Sequence, residues 1–190
     1  MAQGPNPIEL YEAARAQLRS VITASSGQLD SSTPCAEWTV QSVINHAIAT
    51  QQFAYDVLGP GTPDPSIMGD VAHPLSSGGA EAALNSVTDQ VLATLKEINL
   101  EDTVETPFGS MPGGQFIMVP ITDMIIHAWD LAKATGQNTT MDSGLAELGY
   151  NVLLNVVEGA RKNGAFGPEI AIPTTASFQD RMLGLSGRQP

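Results

Sequence analysis

Apolar residues recur three and four positions apart in five long stretches of the chain, the spacing that predicts amphipathic helices. The first passes through Ile8, Leu10, Tyr11, Ala14, Leu18, Val21 and Ile22 and stops at the polar Ser25-Ser26-Gly27. The second begins near Thr39, after the extended Thr33-Pro34-Cys35, and turns Val40, Val43, Ile44, Ala47, Phe53 and Leu58 inward until Gly59-Pro60-Gly61 ends it. Leu84, Val87, Val91, Leu92 and Leu95 line a third, from about Ala80 to Ile98. The fourth, Ile117 to Ala134, has Pro120 in its first turn and Gly136 just past its end, each the residue type that position favours. Leu145 to Ala160 is the fifth, and a last short helix is expected near Phe178 to Leu185. Residues 59–79 read as a long irregular connection and Thr106 to Gly114 as a short extended turn. No stretch alternates convincingly as a strand, so the pattern predicts an all-α helical bundle, whose sites are built from side chains on facing helices.

Composition narrows the function. At 190 residues, 42% hydrophobic and 15% charged, the chain suits one globular domain over 1–190, with a core at about 7–162 and a tail at 163–190. Eight Lys plus Arg against twenty Asp plus Glu give a net charge of −12, which argues against nucleic acid and against an anionic membrane surface. No run is long and apolar enough to span a bilayer, and residues 1–7 lack the build of a signal peptide. A lone Cys35 cannot form an intramolecular disulfide, so the expected location is cytoplasmic. A homodimer is left open.

The chemistry concentrates on two helices. Asp123 and His127 are four apart on the fourth helix and point the same way, with Asp130 three further along the same face. The stretch from Phe116 to Leu131 is almost wholly apolar apart from Thr122, Asp123, His127 and Asp130. Buried charge is costly unless it is paired or binds metal, so the carboxylate and imidazole are expected to reach one divalent ion, with His46 on a neighbouring helix as third ligand. The plainer alternative is a set of hydrogen-bonded core residues. Asp130 reads either as a partner that holds an imidazole in one tautomer or as the mate of an Arg. Cys35 reads as packing at a helix start, with a reactive thiol as the alternative. Trp38 and Trp129 read as core, with a pocket wall as the alternative, and His73, beside Pro74 in the long connection, as solvent-exposed.

Two motifs carry a resemblance. Thr33-Pro34-Cys35-Ala-Glu-Trp38-Thr39-Val40 leading to His46, and Asp123-Met-Ile-Ile-His127-Ala-Trp129-Asp130-Leu131 followed by Ala134-Thr135-Gly136, resemble the metal-binding four-helix bundles of the DinB-like superfamily, in the branch of mycothiol-dependent maleylpyruvate isomerase. The closing Gln179-Asp180-Arg181 and Gly187-Arg188 resemble a single-domain actinobacterial subgroup. The resemblance implies a DinB-like bundle with an additional short helix and a C-terminal tail, and a metal held by His46, Asp123 and His127. Related branches have Glu or a third His where this chain has Asp123. Zinc accepts all three ligand types, with nickel or another divalent ion as alternatives.

Three ligands leave positions open, the arrangement of catalytic zinc sites. The resemblance then implies a low-molecular-weight thiol such as mycothiol, used in transfer to, or isomerisation of, a small electrophile. The maleylpyruvate isomerases carry a further C-terminal domain, whereas only the tail follows the fifth helix here, so that particular isomerisation is not expected. The alternative is a non-catalytic metal-binding stress or sensor module, since no general base or nucleophile stands out beyond the ligands.

Overall fold

The computed structural model describes residues 6–72, 79–106 and 109–190; His73 lies outside them. The elements are α1 (Pro7–Ala24), α2 (Val40–Leu58), a 3-10 turn (Pro65–Gly69), α3 (Gly79–Glu97), β1 (Thr103–Thr106), β2 (Gly109–Pro112), α4 (Gly113–Phe116), α5 (Met118–Ala134), α6 (Ser143–Lys162) and α7 (Phe178–Leu185). They fall into two compact units, Met1–Asn138 and Thr139–Pro190.

In the first unit α1, α2, α3 and α5 form a four-helix bundle, with α1 against α3 and α5, and α2 against α3 and α5. The apolar positions that predicted the helices fill its centre: Leu18, Val40, Val43, Ile44, Leu84, Val91, Ile121, Met124 and Ile125 are fully buried. Local chemistry sets the helix ends. The Thr39 side chain accepts from the amide of Ser42 to start α2. Pro120 has no amide to give the carbonyl of Phe116, and the chain duly breaks between α4 and α5 around Ile117. After α5, Gly136 turns with φ of 70°, and the Gln137 amide closes back on the carbonyl of Ala132 at 2.8 Å.

Two features add to the all-helical expectation. Residues 103–106 and 109–112 pair as antiparallel strands, Thr103 opposite Pro112, overlapping the extended turn predicted at 106–114 and starting three residues before it. These four-residue strands are too short for alternation to stand out from a loop. The long connection also contains the 3-10 turn, capped by Asp64, whose carboxylate accepts from the amide of Ser66 at 2.9 Å.

In the second unit α6 packs on α7. Asp142 caps α6 by accepting from Gly144 and Leu145 amides, and Ser177 caps α7 by accepting from Asp180. The intervening strand of chain crosses α7 so closely at Gly184 that a Cβ there would lie 2.3 Å from Ile172 Cγ1.

Candidate metal centre

The segment before α2 is folded back on itself. The Thr33 amide and hydroxyl both donate to the Trp38 carbonyl, the Cys35 amide donates to Thr33 Oγ1 at 3.1 Å, and Glu37 takes a φ of 66° to complete the turn. This brings Cys35 and Trp38 to the α5 side of the bundle. The Trp38 ring centroid lies 4.9 Å from that of His46 and 6.2 Å from that of His127. Trp38 is thus a half-buried cover over two imidazoles. Trp129 is instead buried, with the Lys133 ammonium 5.3 Å from its ring centroid.

The structure brings His46, Asp123 and His127 together. Nε2 of His46 lies 3.2 Å, and Nε2 of His127 3.4 Å, from the same Asp123 Oδ1. One nitrogen from each ring and a carboxylate oxygen all fall within 4.8 Å of one another. Each imidazole is held through its other nitrogen. His46 Nδ1 donates to the carbonyl of Met68 at 2.7 Å, and His127 Nδ1 donates to Asp130 Oδ2 at 2.9 Å. A carbonyl and a carboxylate can only accept, so both Nδ1 atoms carry their protons and both Nε2 atoms face inward.

Burial grades the site from closed to open. Asp130 is fully buried and the His127 side chain is 8% exposed, whereas those of His46 and Asp123 keep 16% and 20%. A small ligand can therefore approach from the His46 and Asp123 side. Burial alone would lower the His127 pKa; the charge of Asp123 and hydrogen bonds with Asp123, Asp130 and Cys35 reverse that and raise it well above the usual imidazole range. Burial likewise pushes Asp123 up, but the two imidazoles more than offset it and hold the carboxyl below the usual range.

A divalent ion fits this donor set. Two Nε2 atoms and a carboxylate converge, a cation there would take the place of the proton that the raised pKa leaves on His127 Nε2, Asp123 Oδ2 is buried without a hydrogen-bond partner among the described residues, and both rings are oriented by outer acceptors, as is usual for metal-ligating histidines. The Met68 carbonyl had no signal in the sequence, because any residue supplies a carbonyl. Asp130 was visible by its spacing: its Oδ2 accepts from His127 Nδ1, as the first of its two readings has it, and also from the Cys35 thiol at 3.2 Å. Cys35 therefore belongs to the site's surroundings and not only to packing.

A family model described as "Mycothiol maleylpyruvate isomerase N-terminal domain" matches residues 11–132, a span that takes in nearly all of the bundle and His46, Asp123, His127, Cys35 and Asp130. The chain belongs to that family. Two uncharacterised proteins of Mycobacterium tuberculosis, MT0763 of strain CDC 1551 and Rv0738 of strain H37Rv, are each 32% identical to it over 143 residues, 74% of this chain and 74% of the relative. Crystal structures of the mycothiol-dependent maleylpyruvate isomerase, one of them of a histidine-to-alanine mutant, superpose with a TM-score of 0.69 at 15% identity. They cover 90% of this chain and 76% of theirs, and at that identity the likeness shows the fold. Among the described residues no helix is long and apolar enough to cross a membrane.

Proposed function

We propose that this family member is a metal-dependent thiol transferase or isomerase acting on a small electrophile, with His46, Asp123 and His127 holding a divalent ion, zinc first among the candidates. The observation that carries the reading is the convergence of both Nε2 atoms on Asp123 Oδ1 while both Nδ1 protons are committed elsewhere. The family and the crystal relatives are named for mycothiol, which favours a low-molecular-weight thiol as the partner.

The chain's own residues would divide the work. Asp130 and the Met68 carbonyl keep both rings in the tautomer whose Nε2 is a ligand. Asp123 sets a single negative charge between two neutral ligands, which leaves the centre electropositive once a divalent cation is bound. Trp38 shields one side of both imidazoles from water. When bound, such an ion stabilises the thiolate of a small thiol near neutral pH and can polarise a carbonyl.

The test is metal analysis of the purified protein followed by cobalt substitution and titration with mycothiol. Bound metal and a new sulfur-to-cobalt charge-transfer band are expected. A cobalt-loaded protein whose spectrum and thermal midpoint ignore millimolar thiol would leave a metal-binding module without thiol chemistry.

A further inference from the structure

His127 has two faces, and the proposed function uses only one. On the other face Cys35 Sγ lies 3.2 Å and His127 Nδ1 2.9 Å from the same Asp130 Oδ2, and the three donor atoms fall within 4.8 Å of one another. We propose that Cys35, Asp130 and the Nδ1 side of His127 form a second metal position, which takes a thiophilic divalent ion. It needs neither His46 nor Asp123, so it does not rest on the first site being filled.

The geometry suits such an ion. Metal–sulfur and metal–nitrogen bonds of about 2.3 and 2.0 Å put donors around one ion roughly 3 to 4 Å apart, close to the spacing already present. The donor set is thiolate, imidazole and carboxylate, in which sulfur supplies the preference for softer ions over magnesium or calcium. Two protons now occupy the gap, the Cys35 S–H and the His127 Nδ1–H, both directed at Asp130 Oδ2. Binding forms one bond each from sulfur, nitrogen and oxygen; the Cys35 proton leaves to solvent and His127 keeps one proton, now on Nε2 where Asp123 Oδ1 lies 3.4 Å away, with no change of oxidation state. Cys35 is half-buried and so offers a way in, while Asp130 at the back is closed off from water. The folded-back segment holds the thiol in place through the Cys35 amide on Thr33 and the Trp38 amide on the Cys35 carbonyl.

Cys35 is the single cysteine of the chain, so a sulfur-to-metal band reports this residue alone. Titrating the full chain with cadmium(II) is expected to raise a saturable ultraviolet charge-transfer band and to shield Cys35 from iodoacetamide. The band should persist in His46→Ala, disappear in Cys35→Ser, and require about tenfold or more cadmium in Asp130→Asn, a loss at least as large as an outer-shell change produces. Circular dichroism checks that each variant is folded, and the alkylation arm reads the unmodified protein whatever the variants do. No band and no protection in the wild type would overturn the proposal, as would unchanged affinity in folded Asp130→Asn. Loss of the band in His46→Ala would overturn it too, by placing the sulfur on the first site. Zinc retention by Cys35→Ser reads that first site separately.

Discussion

The bundle buries two polar clusters about one helical turn apart, on opposite plans. In the first, the Tyr11 hydroxyl of α1 donates to Gln51 Oε1 of α2 at 2.7 Å, and Gln51 Nε2 donates to the carbonyl of Pro120 in α5 at 3.4 Å. Each polar atom of the pair has a partner, and three helices are tied together. In the second, His46, Asp123 and His127 turn two ring nitrogens and a carboxylate inward, and Asp123 Oδ2 has no partner among the described residues. A satisfied network needs no further component, whereas the buried carboxylate oxygen left over at Asp123 favours a cation beside it. A buried polar group is therefore informative less by its burial than by whether its hydrogen-bond count closes.

The sharpest test of that contrast removes a ligand from the open cluster. His127→Ala is expected to lower metal affinity by more than about a hundredfold, beyond the range of outer-shell changes, while far-ultraviolet circular dichroism keeps its helical signal. Metal content after gel filtration checks it, and unfolding of the variant would instead make the ion structural. Next in size, Asp130→Asn keeps shape but weakens the acceptor that orients His127, and metal affinity should fall about 10- to 100-fold in a chelator competition.

The closed cluster should behave oppositely. Tyr11→Phe leaves Gln51 Oε1 buried without its donor and is expected to cost about 1–3 kcal/mol in denaturant unfolding, with metal content unchanged. A drop in metal content would break the separation between the two clusters. The smallest effect is a dependence on pH. Burial raises the Tyr11 pKa, with Arg15 opposing and Asp89 adding to it. A group raised in the folded state stabilises fully below its unfolded pKa and loses that contribution above it. The advantage of wild type over Tyr11→Phe should therefore hold below about pH 10 and shrink by up to about 1.4 kcal/mol per unit above it. Paired melts at pH 9 and pH 11 measure this.

Much of the candidate site was legible because its signals are local. Asp123, His127 and Asp130 share a helix, and a helix fixes which side chains share a face whatever surrounds it. Their polarity stood out because the rest of α5 is apolar. Two other features were hidden for opposite reasons. The strand pair at 103–106 and 109–112 is held by pairing between segments too short to show a period. The Met68 carbonyl reaches His46 from 22 residues away and is chemically the same as every other carbonyl in the chain.

The sequence by itself determined the helices, the all-α class and the Asp123–His127 pair, because apolar periodicity and i, i+4 spacing act within a few residues of one another, while the motif resemblance tied His46 to them. Tertiary structure alone decided which nitrogen of each histidine faces inward, that Cys35 meets Asp130 across 95 residues, and that Trp38 covers the imidazoles. Those outcomes depend on how separate segments are brought side by side, and a spacing along the chain carries no information about a partner that arrives from elsewhere in the fold.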